Sequence, residues 1–167
     1  MGARTDRVVK LRLYPGREVA VAPLRPREAA AVQDFVRRLS LQSRRERFFA
    51  PVSELSPDAL ARVISSPGLS VAAWHGGRIV ALAQYARGAA EAEFAVVVAD
   101  DWRGLGLGEA LLGLLVSDAR SAGVRTLAGL ALARNRAMRA LARKLGFAFR
   151  SDEDPDLVRM ECMLANV

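Results

Sequence analysis

A single domain of mixed α/β layers is predicted for this chain, and three observations predict it. Apolar residues alternate along short segments, they recur at helical spacing in others, and the two kinds are interleaved from end to end. Hydrophobic content of 51% over 167 residues suffices for one well-buried core, and no linker, internal repeat or low-complexity segment divides residues 1–167.

The elements follow in order. "VVKLRLYPGREVAVAPLR" reads as two extended segments about a Pro15-Gly16 turn. Pro26 and Arg27 open a helix whose Val32, Phe35, Val36 and Leu39 form one stripe. "SRRERFFAPVSEL" reads as a connection, after which Ser56-Pro57 starts a second helix with Leu60, Val63 and Ile64 inside. Two alternating runs flanking His75-Gly76-Gly77-Arg78 read as a hairpin, with His75 exposed at its turn. "EAEFAVVVAD" is apolar on both faces, as a covered central strand should be. A helix with Leu112, Leu115, Val116 and Ala119 on its core face ends at Gly123, and "VRTLAGLALA" returns as a strand. Asn135 is placed to cap a last helix carrying Met138, Leu141, Ala142 and Leu145, which Gly146 stops. The chain closes with two strands about an acidic turn, and Cys162 reads as a core residue of the second.

Composition excludes several functions. One cysteine cannot form an internal disulfide, and with a single histidine a Cys/His metal site is not expected. No apolar run reaches the eighteen or so residues of a membrane span, and MGARTDRVVK lacks a signal peptide's apolar stretch, so the chain reads as cytoplasmic. Net charge is +7, and residues 1–50 hold all of it, with twelve Lys/Arg against five Asp/Glu. Few aromatics interleave with those cations, so the basic first fifty residues are expected to dock an acidic partner surface in preference to nucleic acid, and nucleic-acid binding lost on neutralising Arg44, Arg45 and Arg47 would overturn this.

Chemistry concentrates in "DDWRGLGLGEALLGLL", where Gly104, Gly106 and Gly108 alternate between a strand and a helix. The spacing is neither the dinucleotide fingerprint, which needs a glycine where Glu109 stands, nor a P-loop, since no Gly-Lys-Ser/Thr follows. Both of those motifs let phosphate approach backbone N–H groups at a helix start, and the same physics applies here. An anionic ligand is expected.

Arg103-Gly104-Leu105-Gly106-Leu107-Gly108 resembles the Arg/Gln-x-x-Gly-x-Gly/Ala turn of the GNAT N-acetyltransferase superfamily. "NRAMRALARKLGF" is similar to that family's second motif at Asn135, Leu141, Lys144, Gly146 and Phe147. The resemblance covers roughly residues 18–163, leaving 1–17 as an N-terminal extension or an extra strand. "SRRERFFAPVSELSPDAL" and "AEFAVVVADDWRGLGLG" further resemble the Pat-type protein lysine acetyltransferases of bacteria.

The resemblance implies a GNAT fold, a mixed central sheet splayed at the cofactor with helices on both faces. It implies acetyl-CoA, its pyrophosphate on the N–H groups of Leu105, Gly106, Leu107 and Gly108 beside Gly104 and the Arg103 side chain. The pantetheine arm would lie along Val96, Val97 and Val98, with Asn135 and Met138 on its other side. Glu93 would be the general base acting through a water, in apolar surroundings expected to raise its pKa. Glu91 is the substitute base. Ala142 stands where many relatives carry a tyrosine that protonates the leaving thiolate, and Tyr85 is the candidate to replace it. Expected partners are acetyl-CoA and an amine acceptor, a protein lysine or a small amine or polyamine, chosen by loops in residues 40–56. A non-catalytic acyl-CoA-binding module is the rival class. Nucleic acid and membrane are not expected, and a homodimer stays open.

Overall fold

The computed structural model describes residues 7–164. Eight strands form one open sheet: β1 Val9–Leu13, β2 Arg17–Pro23, β3 Gly68–His75, β4 Arg78–Arg87, β5 Ala92–Val98, β6 Thr126–Leu132, β7 Ala148–Ser151 and β8 Leu157–Met163. Their order across the sheet is β1-β2-β3-β4-β5-β6-β8-β7. Every neighbouring pair is antiparallel except β5 and β6, which run parallel. Tight turns set the antiparallel registers. At the β3–β4 hairpin Gly76 and Gly77 have φ of 56° and 76°, a left-handed pair matching the twist of the flanking strands.

Five α-helices cover the sheet: α1 Ala29–Arg38, α2 Leu41–Phe48, α3 Pro57–Ile64, α4 Leu107–Ser121 and α5 Arg136–Lys144. A turn of 3₁₀ helix at Pro26–Glu28 leads into α1, whose Val32, Phe35 and Val36 are buried. Ser56 caps α3 by accepting from the Ala59 N–H at 3.2 Å. Buried Leu107, Leu111, Leu112, Leu115 and Ala119 hold α4 on the sheet. Helices lie on both faces, as expected: Tyr85 of β4 reaches α4, while its neighbours Gln84 and Ala86 line a cavity shared with α2.

Three expectations are corrected. Half of the segment read as a connection is α2, which buries only Ser43 and so shows no apolar stripe. Its signal was local: the Ser40 hydroxyl accepts from the Ser43 N–H at 3.1 Å, ahead of residues that favour helix. Leu60 and Val116 are half-buried where full burial was expected. Cys162 is also half-buried, and burial pushes its thiol pKa up, away from reactivity.

Candidate active site

A 3₁₀ turn at Asp100–Trp102 carries the chain from β5 into the glycine turn. Gly104 and Gly106 have φ of 74° and 87°, and a Cβ on either would meet nothing within 4 Å. Gly106 is the N-cap of α4, and no side chain caps the helix. The first-turn N–H groups, at the positive end of a 15-residue helix, therefore stand open to an anion. Gly108 serves packing as well, since a Cβ there would lie 3.3 Å from a methyl of Leu141 on α5.

From this turn a cavity of about 730 Å³, within the usual range for cofactor sites, runs along β5. It exists because β5 and β6 pair at only two positions, Ala92 with Leu127 and Glu93 with Ala128, and then part. Phe94 fills the beginning of the split: its ring lies where a Cβ on Gly129 of β6 would come within 2.7 Å. Val96, Val97 and Val98 line one wall, with Asn135, Met138 and Leu141 of α5 opposite. Asn135 caps α5 by accepting from the Met138 N–H at 3.1 Å, which fixes the side chain and leaves its amide N–H₂ free to donate to a ligand. Glu93 lines the cavity at the last paired position, exposed and without a hydrogen bond or ion pair among the described residues. Its apolar neighbours do not enclose it: the strand alternation buries Phe94 and leaves Glu93 open.

Arg103 borders the turn, but its guanidinium is already engaged, donating to Ser43 Oγ at 2.9 Å and to Glu46 Oε2 at 3.1 Å. Asp100 completes this junction. It accepts from the Ser40 N–H at 3.0 Å and from the hydroxyls of Ser40 and Ser43, each at 2.8 Å. Burial alone would raise the Asp100 pKa; the serine hydrogen bonds and the Arg103 charge outweigh it and hold the carboxyl below its ordinary value. A carboxylate depressed in the folded state stabilises fully at neutral pH, and that contribution disappears as pH falls through the folded value. Urea midpoints of the wild type and Asp100→Asn should therefore differ at pH 7, and the difference should shrink as pH falls below the ordinary carboxylate value. A difference independent of pH would show that the carboxylate charge does not hold α2.

Tyr85 is not brought to the site. It is 1% exposed on the opposite face of the sheet, where its hydroxyl donates to Asp118 Oδ2 of α4 at 2.7 Å. Burial and that hydrogen bond push its pKa up to about 12. Tyr85→Phe should cost about 1 kcal/mol of stability and leave turnover unchanged. A large fall in kcat at unchanged melting temperature would restore Tyr85 as proton donor. Glu91 also lies outside the cavity lining, ion-paired with Arg159 of β8. The Leu105 side chain packs towards the core, leaving only its backbone to a ligand. Ala142 is fully buried and offers no hydroxyl. Lys144 lines the cavity with its Nζ 2.8 Å from Glu109 Oε2. His75, exposed at the hairpin, donates from Nδ1 to the Glu18 carbonyl at 2.9 Å.

Sequence reading missed Ser43, Glu46, Arg47, Gln84, Asp152 and Arg159, all of which line the cavity. Arg47 was legible only as part of a basic run. Arg47 turns to the cavity, and Arg44 donates to the Ser53 carbonyl at 3.1 Å. Among the described residues no cluster of three His, Cys, Asp or Glu side chains could hold a metal ion, and no helix is long and apolar enough to cross a membrane.

A cavity of this length, with open helix N–H groups at one end and a carboxylate without an ion-pair partner along its wall, has room for a long, phosphate-bearing carrier, as in a carrier-dependent group transferase. The Acetyltransferase (GNAT) family model matches residues 34–147, and the chain belongs to that family. It is thus an acyltransferase whose cosubstrate is acetyl-CoA. A curated relative, acetyltransferase PA5475 of Pseudomonas aeruginosa, is 34% identical over 151 residues, covering 85% of this chain and 81% of its own length. Among solved structures, the GNAT domain of S. lividans PAT matches with a TM-score of 0.87 at 28% identity, covering 93% of this chain and 96% of that one. YncA, a putative acetyltransferase from Salmonella typhimurium solved with acetyl-CoA, shares the fold with a TM-score of 0.71 at 18% identity, covering 89% and 95%.

Proposed function

We propose that the protein transfers the acetyl group of acetyl-CoA to a primary amine, the side chain of a lysine on a partner protein, and does so in the cytoplasm. The observation that carries this reading is the unpaired Glu93 carboxylate at the point where β5 and β6 part. Roughly 16 Å of strand separates it from Val98, which leads to the glycine turn. The turn and the start of α4 hold the pyrophosphate, the unpaired edge of β5 holds the pantetheine arm, and Asn135 and Met138 close over it.

A lysine ammonium has an ordinary pKa near 10.4 and must lose a proton before its nitrogen can attack. Glu93 takes that proton through a water. The nitrogen then bonds to the acetyl carbon as the carbon–sulfur bond breaks, and the electron pair leaves on sulfur. With Ala142 and Tyr85 both unable to act, no tyrosine protonates the departing thiolate. That is tolerable, because a thiol with an ordinary pKa of about 8.5 is a good leaving group near neutrality. The likeness to the S. lividans PAT domain supports the protein-lysine acceptor.

The test is thiol release from acetyl-CoA across polyamines, amino acids and lysine-bearing proteins. Fastest release is expected with a lysine-bearing protein. Release with small amines alone would overturn the protein-lysine acceptor, and binding of acetyl-CoA without release under any condition would favour a regulatory module.

A further inference from the structure

Four cationic side chains line the cavity, and three of them have carboxylate partners. Arg103 pairs with Glu46 at 3.1 Å, Lys144 with Glu109 at 2.8 Å, and Arg159 with Glu91 and Glu161. The fourth, Arg47, has no hydrogen-bond or ion-pair partner among the described residues; its guanidinium lies only against the Phe48 ring, 4.7 Å from the centroid. Burial pushes its pKa down to about 10, which leaves it charged at neutral pH. A cation held partly out of water without a counter-charge is costly, and an anionic ligand would remove the cost.

Position indicates which ligand. Arg47 lies one helical turn beyond Ser43 on the same face of α2, next to Glu46, whose carboxylate already occupies Arg103. Phe49, which ends α2 in the left-handed conformation at φ 57°, lines the cavity just beyond it. α2 itself packs across both β5 and β6, the strands whose parting places Glu93. Two cavity carboxylates, Glu93 and Asp152, have no cationic partner among the described residues. The cavity therefore offers one cation and two carboxylates that have no ion-pair partner among the described residues, a pattern complementary to a molecule carrying both an ammonium and a carboxylate.

We propose that Arg47 binds a carboxylate of the acceptor and so selects amines that carry one within reach of the reacting nitrogen. This deepens the N-acetyltransferase reading and rests on it. The carboxylate has two sources, the α-carboxylate of an amino acid or an acidic side chain beside a target lysine, and the same guanidinium fork would hold either.

Two matched acceptor pairs separate the sources: Nα-acetyl-lysine against its amide, and a lysine pentapeptide with Glu against one with Gln beside the lysine. Thiol-release kcat/KM for the wild type should favour the acidic member of one pair by about tenfold or more, the scale of a charge-assisted hydrogen bond. Arg47→Gln should erase that preference, leaving kcat/KM for the neutral member and the acetyl-CoA Kd unchanged; Arg47→Lys should retain part of it. Equal wild-type rates within both pairs would overturn the Arg47 assignment while the amine reading stands. A tenfold loss of acetyl-CoA affinity in Arg47→Gln would also overturn it, by placing the guanidinium on the cosubstrate. Turnover of none of the four compounds would overturn the amine reading and this inference together. If Arg47→Gln does not fold, the wild-type ratios decide alone.

Discussion

Glu93→Gln should lower kcat by roughly a hundredfold or more, the usual scale for loss of a general base, with acetyl-CoA affinity unchanged. The amide keeps the size and hydrogen-bonding reach of the carboxylate but cannot accept the proton. Because the Glu93 side chain makes no hydrogen bond or ion pair among the described residues, the substitution leaves no partner stranded, and the melting temperature should stay within about 1 °C of wild type. Measuring kcat with a good acceptor at neutral pH, alongside the acetyl-CoA Kd by calorimetry, separates the two effects. Wild-type turnover in the Gln variant would remove Glu93 from the mechanism.

Gly106→Val acts at the other end of the cavity. At φ 87° a β-branched residue is strained, by roughly 1–3 kcal/mol, and its side chain would enter the open space from which phosphate approaches. Acetyl-CoA affinity should fall tenfold or more, beyond what the lost stability explains. Gly113→Ala supplies the control: Gly113 lies inside α4 with nothing within 4 Å of an added Cβ, so alanine should stabilise by about 0.5–1 kcal/mol and leave affinity alone. Native affinity in Gly106→Val, measured well below its melting temperature, would contradict the anion cradle.

The glycine turn, the Asn135 cap and the β3–β4 hairpin could all be read from a few consecutive residues, because backbone conformation there depends on near neighbours. Gly104 and Gly106 adopt left-handed values there, which glycine reaches without strain. α2 carries a local cap at Ser40 but no apolar stripe to mark it as a packed helix. Its one buried residue is Ser43, and the partner that anchors it, Asp100, lies 57 residues further along the chain. Arg47 reads in sequence as one more exposed arginine of a basic run, and only the docking of α2 turns it inward.

Tyr85 shows the same limit on a strand. Alternation made β4 recognisable, but a side chain's face follows from register with both neighbours, here Leu69 of β3 and Phe94 of β5. That register sends Tyr85 to Asp118 and Gln84 to the cavity. The sequence by itself determined the alternating segments, four of the five helices, the glycine turn and the presence of a carboxylate on the strand leading into it, since each is written in local spacing. Tertiary structure alone decided which charges find partners. Ion pairs such as Arg159 with Glu91 and Arg103 with Glu46 join residues far apart in the chain, and their formation leaves Glu93 and Arg47 as free groups of opposite charge in one cavity.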